Sequence, residues 1–164
     1  MNKYMELALK EAKKALKADD VPVGAIIVEK GKVIAKAHNT KEKTHQITRH
    51  AEINAIEKAC KKKRCWHLSD CDIYITLEPC SMCTSAIEQA HIKTIFYATK
   101  RDKNVSRETS KVYQKEYQTE SQKLLKNFFE AKRNKTKNNV SRETSKITPK
   151  KSKPRTMFHV KHQR

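Results

Sequence analysis

"CDIYITLEPCSMC", Cys71 to Cys83, changes character halfway along. Its first part is apolar and β-branched and is closed by Pro79, which predicts a buried strand. Its second part begins a run from Cys80 to Ala90 that predicts a short helix. A strand delivering two cysteines to the mouth of a helix is the unit around which the rest of the chain has to be arranged. Upstream, "VPVGAIIVEKGKVIAKAHN" gives two β-rich runs around Lys30-Gly31, the form of a hairpin with a tight turn. "HAEINAI", His50 to Ile56, starts a second helix whose Ala51, Ala55 and Ile56 could face a core, after a polar loop, "TKEKTHQITR". Tyr4 or Met5, Ala8, Leu9, Ala12 and Leu16 recur at helical spacing and place an amphipathic helix before the hairpin. Downstream, "KTIFYA" predicts a fourth strand, and Tyr113, Tyr117, Leu124, Leu125, Phe128 and Phe129 predict a closing helix with one apolar stripe. Strands alternating with helices point to an α/β layered fold with at least one parallel crossover.

The chain has 164 residues, enough for one domain with a real core. Residues 1–133 are expected to form that domain. Residues 134–164 are polar, basic and Pro-containing, and are expected to be a disordered tail. No apolar run approaches membrane-spanning length and the first residues lack a signal-peptide core, so the expectation is a cytoplasmic protein with no membrane partner. Five cysteines, an odd number without a secretory context, favour thiols or metal ligands over disulfides. The net charge of +19 favours a polyanionic partner, because Lys and Arg gain by displacing counterions from phosphates. Ten Lys or Arg against the single Glu143 give residues 134–164 a charge of +9, which leaves +10 on the body. An AT-rich coding sequence, which raises Lys and Asn and lowers Gly, is the competing explanation.

Two cysteines at C-x-x-C spacing can reach one tetrahedral Zn²⁺, and a helix start favours their thiolates. His50, at the start of another helix, could supply a third ligand and leave the fourth position to water, as catalytic zinc sites do. Glu52, in the first turn beyond His50, could then take a proton from that water and later deliver protons to substrate and leaving group. A redox pair or half of a structural zinc site is the bland reading of a lone C-x-x-C. Cys60, Cys65, His67 and Cys71 form a looser cluster, better read as core thiols beside a loop anchored by Trp66 and Leu68.

The joint pattern H-A-E … P-C-x-x-C, with "DVPVGAIIV", "AHN" and "YITLEPCSMC", resembles the cytidine deaminase-like superfamily and, within it, the bacterial tRNA-specific adenosine deaminases. The resemblance implies a three-layer α/β/α fold with a mixed sheet of about five strands, and a homodimer. It implies that His50, Cys80 and Cys83 hold one Zn²⁺ per subunit and that Glu52 is the catalytic proton shuttle. Asn39 of "AHN" corresponds to a substrate-contacting asparagine, Ala51 to a backbone N–H donor to the base, and Val23, Gly24 and Ala25 to the pocket wall. The implied activity is that of a hydrolase acting on a cyclic amidine: adenosine becomes inosine at the wobble position of an arginine tRNA. "LLKNFFEAKR" resembles the family's last helix, which makes Phe128, Phe129 and Arg133 candidates for RNA contact. A deaminase of a free base or nucleotide, such as guanine or deoxycytidylate, shares the motif. A noncatalytic zinc-containing nucleic-acid-binding protein is the reading from a different class, and Glu52 argues against it.

After the fourth strand the family has a Gly-rich loop and a fifth strand, whereas "TKRDKNVSRETSKVYQKEYQ" is short and contains no Gly, so the fifth strand is expected to be shortened. "NVSRETSK" occurs there, at Asn104 to Lys111, and again at Asn139 to Lys146. A duplicated binding motif with Arg107 and Arg142 on phosphate is one explanation. Another lies in the gene: VSRET can be encoded as GTTTCACGTGAAACA, and the later MFHVKH, Met157 to His162, can encode the same palindrome in another frame. That word resembles the centromere-like site bound by bacterial chromosome-partition proteins. On this hypothesis the peptides are by-products of DNA sites tolerated in a surface loop and a tail. Sequencing the gene tests it, with the palindrome expected at all three places and unrelated codons there removing the idea.

Overall fold

The computed structural model describes residues 2–100 and 110–144. Helix α1, Lys3–Lys17, starts at Asn2, whose side chain accepts the N–H of Tyr4, and it buries Met5, Ala8, Leu9, Ala12 and Ala15. Strands β1, Gly24–Glu29, and β2, Lys32–His38, form the expected hairpin. Both turn residues are left-handed, Lys30 at φ 46° and Gly31 at φ 78°, which matches the twist of the flanking strands. The loop after β2, expected to be irregular, contains one short helix, α2, Lys41–Thr44.

Helix α3, Ala51–Lys63, leads to β3, Cys71–Ile75, and α4, Ser81–Gln89, to β4, Thr94–Tyr97. Strand β5 is four residues long, Ser110–Tyr113, in agreement with the shortening expected from the sequence. A 3₁₀ turn at Lys115–Tyr117 enters α5, Gln118–Thr144. Helix α5 continues past Arg133, where the domain was expected to end, because nothing between Phe129 and Thr144 is Gly or Pro and a nucleated helix has no reason to stop. The chain divides into two compact units, Met1–Ala131 and Lys132–Arg164. Residues 104–109 and 145–146 of the repeated octapeptide, and Met157 to His162, lie outside the described residues.

The sheet runs β2-β1-β3-β4-β5, with β1 antiparallel to both neighbours and β3, β4 and β5 mutually parallel. Because both faces are covered, β1 is apolar from Gly24 to Val28 instead of alternating. Ala25 and Ile27 join Ile73, Ile75, Ala51, Ala55 and Ile87 on the α3/α4 side, and Ile26, Val28 and Tyr74 join Met5, Ala8 and Leu9 on the α1 side. This is the three-layer arrangement expected. Leu68 is fully buried, but Trp66 is 61% exposed and lies tilted against His67 instead of anchoring its loop in the core. Among the described residues no helix is long and apolar enough to cross a membrane.

Gly24 is where α1 comes closest to the sheet. A Cβ there would stand 2.0 Å from the carbonyl oxygen of Ala8 and 2.6 Å from the amide nitrogen of Ala12. At Gly31 the nearest atom would be 3.8 Å away, so only the positive φ opposes a side chain. Gly31→Ala is expected to cost about 1 kcal/mol. Gly24→Ala, despite its ordinary φ, is expected to cost about 3 kcal/mol or more, because helix and sheet must separate. Urea denaturation of the two variants checks the order.

Candidate active site

Three side chains that are far apart in sequence meet at the ends of two helices. His50 is the N-cap of α3 and Cys80 the N-cap of α4, both with extended backbones and neither using its side chain to cap its own helix. Cys83 lies one turn into α4 and is fully buried. His50 Nδ1 is 3.8 Å from Cys80 Sγ and 3.4 Å from Cys83 Sγ, and the three ligand atoms lie within 4.8 Å of one another. This is the group of described residues that could hold a metal ion. Cys60, Cys65, His67 and Cys71 do not gather into one: Cys71 is buried in β3, whereas Cys65 is exposed.

The electrostatics fit a cation. Hydrogen bonds from Cys83 and His50 hold the Cys80 thiol down to about 3, against the cost of burial. The hydrogen bond to Cys80, followed by burial, pushes Cys83 far above its ordinary 9.0. One negative charge on the pair therefore opposes a second, and a bound metal ion would allow both sulfurs to be thiolates.

Glu52, in the first turn of α3, is 2% exposed. Burial raises its carboxyl above the ordinary 4.5, outweighing a backbone hydrogen bond and the attraction of His50. It lines a cavity of about 440 Å³ together with His50 and Asn39. Val21, Val23, Leu77, Leu125 and Phe129 supply the apolar wall, Thr99 and Gln122 add polar groups, and Lys41 and Lys100 bring positive charge. The ammonium of Lys100 lies 4.9 Å from the centre of the Tyr113 ring. The arrangement can hold a flat, partly apolar molecule beside a carboxyl able to exchange protons.

Of the residues singled out in the sequence, His50, Glu52, Asn39 and Val23 share this cavity, with Cys80 and Cys83 against His50. Gly24 faces α1, and Ala25 and Ala51 are fully buried in the core, so their side chains are not on the cavity wall. Ala51 is the first residue of α3, where a backbone N–H has no partner within the helix. Phe128 is buried with its ring edge-on to Phe129, 5.3 Å between centres, and Phe129 is 47% exposed and turned to the cavity. Arg133 is exposed on α5.

Sequence reasoning missed Asp20. Its carboxylate is fully buried and accepts from Asn39 Nδ2 at 2.8 Å, the N–H of Val21 at 2.9 Å, and those of Glu42 at 2.8 Å and Lys43 at 3.3 Å. The signal was present in "DVPVGAIIV", as an acid next to a buried strand. Nearby, Glu11 accepts from Lys14 and from His38 Nδ1 and is held below its ordinary 4.5, the bonds outweighing burial. Asn54 of α3 donates to the carbonyl of His38 and so ties the same end of β2 to the helix carrying Glu52.

The model of the MafB19-like deaminase family matches residues 1–133. A tRNA-specific adenosine deaminase of Agrobacterium fabrum is 37% identical over 143 residues, covering 79% of this chain and 94% of the relative. One of Aquifex aeolicus is 43% identical over 95 residues, covering 58% of this chain and 63% of the relative, less than two thirds of its length. Among solved structures, one from a study of A-to-I editing by tRNA:A34 deaminases at the wobble position is 34% identical, with a TM-score of 0.70 over 75% of this chain and 99% of that one. The guanine deaminase of Bacillus subtilis is 32% identical, with a TM-score of 0.58 over 82% of this chain and 95% of that one. With its two parallel crossovers, its paired helix starts and a family match that takes in every element from α1 into α5, the chain belongs to the MafB19-like deaminases.

Proposed function

We propose that this chain is a zinc-dependent hydrolytic deaminase that converts adenosine to inosine in the anticodon of a tRNA, at the wobble position of an arginine tRNA. The observation that carries the reading is a buried carboxyl, Glu52, on the wall of a base-sized cavity beside His50, Cys80 and Cys83. One imidazole and two thiolates are a donor set that would suit Zn²⁺. When bound, zinc supplies the Lewis acidity that makes water a nucleophile near neutral pH.

His50, Cys80 and Cys83 would hold the metal. Glu52 takes a proton from the attacking water and passes it to the ring nitrogen next to the carbon that bears the amine; it then takes the second proton of that oxygen and gives it to the amine, which leaves as ammonia when the C–N bond breaks. Water and adenosine thereby become inosine and ammonia. A carboxyl raised by burial suits this exchange, because it gives and accepts protons closer to neutral pH than a solvated one. Val23, Leu77, Leu125 and Phe129 exclude bulk water and flank the base, and Asn39 addresses its polar edge. Lys41 and Lys100 at the cavity, with the +10 of residues 1–133, suit the phosphates around a base splayed from an RNA loop. In this reading the enzyme works in the cytoplasm as a homodimer. The likeness to a guanine deaminase favours a second reading in which the same cavity takes a free purine.

Purified zinc-loaded protein is expected to form inosine in an arginine tRNA anticodon stem-loop, measured by nucleoside analysis beside free guanine and deoxycytidylate. Glu52→Gln is expected to lower that turnover about a hundred- to ten-thousandfold at unchanged zinc content. Turnover of guanine without inosine in the stem-loop would favour the second reading. Cys83→Ala is expected to lose stoichiometric zinc and to melt at lower temperature, since metal binding and folding are coupled. Metal analysis and a thermal scan on one preparation check both effects.

A further inference from the structure

Asn39 owes its orientation to a residue outside the cavity wall. Asp20 is fully buried and gives one carboxylate oxygen to Asn39 Nδ2 and the N–H of Val21, and the other to the N–H groups of Glu42 and Lys43. Those last two are the second and third residues of α2, whose N-cap, Thr40, makes no side-chain cap bond. Asp20 therefore does for α2 what a capping side chain ordinarily does, from a distant point in the sequence. One carboxylate thus holds three residues of the cavity: Asn39 through its side chain, Val21 through its backbone, and Lys41 through the helix it begins.

We propose that Asp20 is a positioning residue that fixes the Asn39 amide in one orientation and so sets which base edge the cavity accepts. An ionised carboxylate only accepts hydrogen bonds, so Asn39 must turn its NH₂ toward Asp20. The reversed amide would set two oxygens against each other in a buried site. Asn39 Oδ1 is consequently turned away from Asp20, and the amide offers that acceptor and its second N–H to the base in fixed places. Main-chain bonds hold the residue in place, with Asn39 N–H donating to Val23 and Thr40 N–H to Arg49, so the amide orientation is the remaining freedom that Asp20 removes.

The inference rests on the deaminase reading of the cavity, and a double-mutant cycle separates the two. Wild type, Asp20→Asn, Asn39→Ala and the double variant are compared as zinc-loaded proteins, on whichever of the stem-loop, guanine and deoxycytidylate the wild type turns over. Asp20→Asn, in which Asn39 meets an amide able to accept or donate, is expected to lower kcat/KM about tenfold or more at unchanged zinc content. In the Asn39→Ala background the same change is expected to have little further effect. Melting temperature is followed in all four, because a purely structural Asp20 would lower it and reduce kcat/KM by the same factor in both backgrounds. Equal factors, or full kcat/KM in Asp20→Asn, would overturn the proposal. Turnover of guanine but not of RNA would refute the RNA reading while the cycle still decides Asp20, and turnover of none of the three by wild type would sink both.

Discussion

Two helix starts meeting over one face of a sheet are the constraint on which the rest of this structure depends. His50 and Cys80 occupy N-cap positions, where the first backbone N–H groups of a helix point outward without partners and the local potential is positive. In most helices a side-chain oxygen answers those groups. Here both caps leave that task undone, and their side chains are instead spent on each other and on Cys83. The sheet order makes the meeting possible, because α3 and α4 pack on the same face of β1 and β3 through Ala51, Ala55 and Ile87. The small residues on α3 let it lie close to the sheet, which brings Glu52 to the same cavity as His50.

The motif residues were readable because their chemistry is local and rare: thiols three apart after a strand, and an imidazole two residues from a carboxylate at a helix start. The hairpin, the central strands and α1 were readable because their apolar periodicity follows burial. Other features depended on what only the folded chain brings together. Asp20 looks like a solvated acid beside a turn until α2 and Asn39 arrive around it. Trp66 looks like an anchor, since large aromatic residues usually bury, yet it lies tilted against histidine at the surface. Gly24 falls within a stretch that suggests a cavity wall, whereas its lack of a side chain serves the contact with α1 on the opposite face.

Around the site, polar groups inside the fold are answered in clusters. Asp20 serves four donors, and Glu11 is shared by Lys14 and His38, whose carbonyl in turn receives Asn54. Both clusters join segments distant in sequence at the same end of β2. A buried carboxylate with several donors is costly to disturb, because removing any one partner leaves the charge less well compensated. Substrate-facing residues on loops and helix starts thereby gain the rigidity that a strand interior has from its ladder.

The way α1 begins bears on when the protein can first become an enzyme. Asn2, which starts that helix, is hydrogen-bonded to the hydroxyl of Tyr117 and, through its side chain, to Gln114 at 3.3 Å. Lys13 further along reaches Glu120 at 2.7 Å. The start of α1 is thus closed by residues made more than a hundred positions later, and the cavity itself waits for Gln122, Leu125 and Phe129. All three proposed metal ligands are synthesised well before those residues. A nascent chain could gather its metal while the pocket still lacks one wall, so that loading and activity are separate events in the birth of each molecule.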